Sequence, residues 1–133
     1  MARRGGVRVS PTRFHGAVGL ALALLGSVGL MLLFRAAWTP FHLLAAWLAA
    51  VNLTAFAYFG YDKLCARAGA RRVPEAVLHG LALAGGSVGA FLAMGLFRHK
   101  TAKGRFRLAF WLIVALQLTV CAWVATVLWQ RRA

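Results

Sequence analysis

Four long apolar runs, separated by short basic stretches, set the pattern of this chain. They cover residues 14–34, 41–61, 77–97 and 108–128. About 20 helical residues cross a hydrocarbon core of about 30 Å, so each run is long enough to span a bilayer. The pattern predicts an all-α integral membrane protein of four helical segments. They form one domain, residues 14–133, behind a basic cytoplasmic tail, residues 1–13. Within the first run, Gly19, Ala23, Gly26 and Ser27 offer small surfaces for helix contact. Pro40 suits the start of the second helix, where its missing N–H costs nothing. Trp38, Tyr58 and Tyr61 lie near the ends of that run, as interfacial anchors do.

Polar interruptions refine the picture. Asn52 falls near the middle of the second run, where an interhelical hydrogen bond is expected. Gln117 sits mid-way along the fourth. The third run contains Gly85-Gly86-Ser87-Val88-Gly89, which admits two structures. Gly85 and Gly89 form a GxxxG contact surface, with Asn52, Gly86 and Ser87 as further packing positions. Alternatively the helix breaks at Gly85-Gly86-Ser87, and two half-length helices dip into the bilayer and return. With the N-terminus inside and all four runs spanning, ten basic residues lie inside and six outside. A re-entrant third run changes this to thirteen and three. Positive-inside bias favours re-entrance and segment length favours spanning; length tips the expectation to four spans.

Composition excludes a soluble domain of this size. The 133 residues are 62% apolar, with a mean hydropathy of +0.73. Sixteen Lys and Arg against two acids give a net charge of +14. Basic clusters between apolar runs suit a bacterial inner membrane, where anionic lipid holds them at the cytoplasmic face. The first helix reads as uncleaved, since no small-x-small site follows it before Arg35. Cys65, read as part of a basic loop, and Cys121, read as shielded inside the fourth run, have no metal or disulfide spacing. His15, His42, His79 and His99 form no ligand motif. No nucleophile elbow, P-loop or dinucleotide fingerprint is present. A hydrolytic set would need Ser87, His79 or His99, and Asp62 to meet. No catalytic residue, metal or cofactor is assigned.

Chemistry concentrates between residues 58 and 107, which hold both acids and nine of the basic residues. Arg71, Arg72, Arg98, His99, Lys100 and Lys103 offer forks and point charges suited to phosphate. Asp62 and Glu75 are the supporting acids. Asp62, at a helix C-terminus, needs a cation nearby, expected from Arg71, Arg72 or the second basic cluster. Glu75, after Pro74, fits the first turn of the next helix. The partners that follow are anionic membrane lipids. A different class of reading is an assembly subunit, docked on a membrane protein or a second copy through Gly85, Gly89 and the small residues of the first run. A third is a nucleic-acid tether working through charge alone.

The ordered set Asn52, Phe56, Tyr61-Asp62-Lys63, Arg72-Val73-Pro74-Glu75, Leu83, Gly85-Gly86-Ser87, Gly89-Ala90, Met94-Gly95, Phe97-Arg98-His99-Lys100-Thr101, Lys103 and Phe106 resembles the DUF1294 family of small bacterial membrane proteins. Each piece is short; the combination in order is specific. The resemblance implies a compact membrane domain and lends no mechanism. Some members carry an N-terminal cold-shock domain, a nucleic-acid-binding barrel, where this chain has its basic tail.

Overall fold

The computed structural model describes residues 10–35, 38–98 and 103–132. The helices are α1 (Pro11–Leu33), α2 (Pro40–Arg67), α3 (Glu75–Leu81), α4 (Ser87–Phe97) and α5 (Gly104–Arg132), with a wide π-type turn, Ala82–Gly86, joining α3 to α4. No strand occurs among the described residues. Four helical stretches, with Glu75–Phe97 taken as one, are long and apolar enough to cross a membrane.

Local chemistry sets the ends more than hydropathy does. The Ser10 side chain accepts from the Arg13 N–H, and Pro11 follows as the first helical residue, so α1 begins inside the expected tail. Thr39 and Pro40 open α2 in the same way. At its other end α2 runs past Tyr61 to Arg67, because no residue before Gly69 breaks it. Gly69 adopts φ 64, and the Ala70 N–H reaches back to the Cys65 carbonyl, closing the helix. Cys65 is therefore not a loop residue; it is buried in the last turn of α2.

The third apolar stretch does not run straight. It starts beside the basic end of α2, where the Val73 N–H meets Asp62. At Gly85 it has reached Leu48 and Val51, near the middle of α2. From there α4 returns, passing Asn52 at Gly89 and laying Phe97 against Gly60 and Phe56. Both ends of the hairpin thus lie at one end of α2. The expectation of a straight third segment is corrected: α4 has 11 residues, about 16 Å long, half a hydrocarbon core. Residue count missed this because the turn consumes the middle of the run. Gly85, at φ 114, makes the turn possible, since a side chain there would be strained.

A broken helix frees backbone groups, and here neighbouring side chains take them up. Gln117 Nε2 donates to the carbonyls of Ala82 and Leu83, at 2.8 and 3.2 Å. Trp47 Nε1 donates to Ala84 at 3.0 Å. Asn52 Nδ2 donates to Gly85 at 3.0 Å and to Leu48 at 2.7 Å, while its Oδ1 accepts from the Gly89 N–H at 2.7 Å.

Around this bracket α2 is the central helix, packed by α1 on one side and the hairpin on the other. Phe59, Leu78, Phe106 and Phe110 are fully buried, with Phe106 edge-on to Phe59 and stacked on His79. Gly26 of α1 meets Ala50, and Tyr58 donates to the His15 carbonyl at 3.1 Å. Beyond Gln117, α5 is largely uncovered: Trp123 is 66% and Trp129 77% exposed. Cys121 lies on this uncovered surface of α5, within the stretch long and apolar enough to cross a membrane.

Two glycines of α4 should therefore respond in opposite ways. A Cβ on Gly89 would overlap the Asn52 carbonyl oxygen, whereas Gly95 has nothing within 4 Å. Gly89→Ala should destabilise the protein by about 1–3 kcal/mol or more. Gly95→Ala should be neutral or stabilise by up to about 1 kcal/mol. Thermal unfolding in detergent checks both; equal effects would contradict the packing described.

Candidate functional site: a basic cleft at the hairpin base

The hairpin base is tied to α2 through Asp62. Its carboxylate is fully buried and accepts from the Val73 N–H at 2.9 Å, pinning the link that carries Arg71 and Arg72. Those two arginines stand exposed on that link. The buried Val73 anchors its end, and Glu75 opens α3.

Glu75 pairs with Lys103, just before α5, at 2.7 Å. The pair joins the start of the hairpin to the start of α5 and lines a shallow pocket with Arg105 and Phe106. Both side chains are about half exposed, so the pair contributes less than about 1 kcal/mol. It neutralises Lys103.

A different group of cations is left uncompensated. Lys63 and Arg67 lie one helical turn apart on the same face of α2. Phe97, seated on Gly60, brings the end of α4 alongside them. Arg98 caps α4 in the left-handed conformation, φ 45 and ψ 46, at a cost of about 1 kcal/mol for a residue with a side chain. Lys63, Arg67 and Arg98, with Gly60, Leu64, Leu96 and Phe97, line an open cleft of about 470 Å³. No carboxylate lines it, and none of the three cations is in an ion pair among the described residues. Cations near helix C-termini complement the dipole, which accounts for part of this arrangement.

The residues expected at an anion site are thus divided. Arg98 is in the cleft, Lys103 is paired with Glu75, and Arg71 and Arg72 are on the exposed link. His99 and Lys100 lie outside the described residues. Lys63 and Arg67 were not expected there. Their i, i+4 spacing would have shown them had α2 been carried on to Gly69. Ser87 sits at the inner end of α4 and Asp62 at the hairpin base, about 16 Å apart along the arm, too far for one catalytic set. No group of three His, Cys, Asp or Glu suited to a metal occurs among the described residues.

Residues 52–106 match the family described as "Protein of unknown function (DUF1294)". The chain is also 32% identical over 80 residues to the uncharacterized protein YsdA of Bacillus subtilis (strain 168), covering 60% of this chain and 90% of the relative. The chain belongs to the DUF1294 family. No solved structure matches it. The DUF1294 match begins at Asn52, the bracket of the turn, and ends at Phe106, in the first turn of α5. The whole hairpin and the cleft fall within the DUF1294 stretch; α1 and most of α5 fall outside it.

Replacing Asp62 tests what holds the base together. Asp62→Leu keeps the branching of the side chain, with two methyls for two oxygens, but leaves the buried Val73 N–H without its acceptor. A loss of about 1–3 kcal/mol is expected in thermal unfolding. A change within about 0.5 kcal/mol would show that the link does not depend on this contact.

Proposed function

We propose that this protein is a bacterial inner-membrane protein with three spanning helices and one re-entrant hairpin, whose basic cleft binds phosphate groups of anionic lipids. Charge distribution supports the orientation. The sequence stretches that adjoin the hairpin-base end, 1–13, 62–74 and 98–107, carry thirteen of the sixteen basic residues, and those adjoining the opposite end carry Arg35, Arg131 and Arg132. Positive-inside bias puts the first group, and with it the N-terminus, in the cytoplasm. The observation that carries the binding role is the cleft itself: three cations from two helices, without a carboxylate, beside Leu64, Leu96 and Phe97. Cations suit phosphate oxygens, and the apolar wall suits the acyl chains of the same molecule.

An assembly subunit docked through Gly85 and Gly89 has less support, because those glycines face Leu48 and Asn52 of α2. Nucleic-acid tethering rests on net charge alone and would show as salt-sensitive, sequence-independent binding.

Two measurements test the proposal. Native lipid analysis should find anionic lipid retained by the wild type and depleted from a Lys63→Ala/Arg67→Ala/Arg98→Gly variant. An Arg131→Ala/Arg132→Ala variant should behave as wild type; equal retention in all three would sink the lipid role. For topology, Cys65→Ala/Cys121→Ala provides the background. Thr101→Cys should resist a membrane-impermeant thiol reagent on intact cells, while Gln130→Cys labels. Ready labelling of Thr101→Cys from outside would overturn the re-entrant orientation.

A further inference from the structure

We infer that the cleft selects phosphomonoester headgroups over phosphodiester headgroups; this rests on the anion reading above and narrows its ligand class. The inference follows from charge and donor geometry. Lys63, Arg67 and Arg98 contribute three positive charges. Two helix C-termini, those of α2 at Arg67 and α4 at Phe97, converge on the same space. Each is equivalent to about half a negative charge, so the cleft keeps a net charge of about +2. Nearby acids do not alter this. Glu75 is engaged with Lys103, and Asp62 is turned to the Val73 N–H; neither lines the cleft.

A phosphodiester brings one negative charge and two terminal oxygens, leaving about one charge uncompensated. A phosphomonoester brings between about 1.5 and 2 charges at neutral pH and three terminal oxygens. Three cationic side chains, two from α2 and one from α4, match three oxygens. Arg67 and Arg98 can engage theirs as forks and Lys63 as a point charge. The flanking Leu64 and Leu96 are 63% and 70% exposed, which favours a lipid-borne phosphomonoester over a free one.

The choice predicts a pH dependence that belongs to the ligand. Phosphomonoesters gain their second charge near about pH 6, whereas a phosphodiester keeps one charge throughout. On α2 and α4 the ionisable groups lining the cleft are Lys63, Arg67 and Arg98. His99 follows Arg98 in the chain, so each titration is repeated with His99→Asn.

The experiment is native mass spectrometry of delipidated protein titrated with phosphatidate and phosphatidylglycerol of identical chains. Phosphatidate should bind at least about tenfold more tightly at about pH 7.5, the order of one further charge-assisted hydrogen bond, and the gap should close near about pH 5. Arg98→Gly should abolish the gap without loss of thermal stability, since glycine suits the left-handed cap. Equal binding of both lipids, weakened equally by Arg98→Gly, would overturn the monoester selectivity and leave the anion reading intact. If neither lipid responds to Lys63→Ala/Arg67→Ala/Arg98→Gly, both fall. Glycerol 3-phosphate in large excess should not displace phosphatidate. Displacement at matched concentration would support the phosphomonoester class and overturn its lipid source.

Discussion

The carboxamide of Asn52 is the interaction on which the rest of this structure depends. Turning a helix back on itself frees carbonyls before the turn and amides after it, and hydrocarbon offers them nothing. Asn52 answers on both sides, donating to Gly85 and accepting from Gly89. Its carbonyl and amide groups lie on one planar side chain, so both arms are held from one point of α2. An aliphatic residue could do neither, and a hydroxyl would have to donate and accept at a single oxygen. Trp47 and Gln117 complete the set from α2 and α5. Packing follows from this: α4 can approach α2 as closely as it does only because Gly89 faces the Asn52 backbone.

The turn also decides which charges meet. Had the segment continued straight, Arg98 would lie at the far end of α2 from Lys63. Folding back brings it within the same cleft as Lys63 and Arg67, and brings Glu75 to Lys103. Two neighbouring regions result, one holding the Glu75–Lys103 ion pair and one lined by cations without a carboxylate. The Asp62 contact keeps the link between α2 and α3 from shifting between them.

Much of the architecture was legible in the sequence, through signals of unequal value. The apolar runs marked the helical stretches because hydrocarbon imposes a length on them. Their ends shifted because caps such as Ser10 with Pro11 act locally, independent of hydropathy. Positive-inside bias pointed to the folded-back third segment, while residue counting pointed away from it. Counting failed because a glycine turn uses residues without adding span. Asn52 announced itself as a polar residue deep in an apolar run. Trp47 did not, since an indole in such a run needs no special partner to explain it. Lys63 and Arg67 were obscured by ending α2 at Tyr61, which hid the helical face they share.

The hydrogen bonds from Gln117 have a consequence for how the molecule is made. The carbonyls of Ala82 and Leu83 belong to a segment synthesised more than 30 residues before their donor. While the chain is being made, Asn52 and Trp47 are therefore available to the turn before Gln117 is. Carbonyls without a donor favour the water interface over the apolar interior. The C-terminal helix is thus part of the turn's support as well as of the bundle. Until it is made, two carbonyls of the turn lack the side-chain donor that they have in the finished fold.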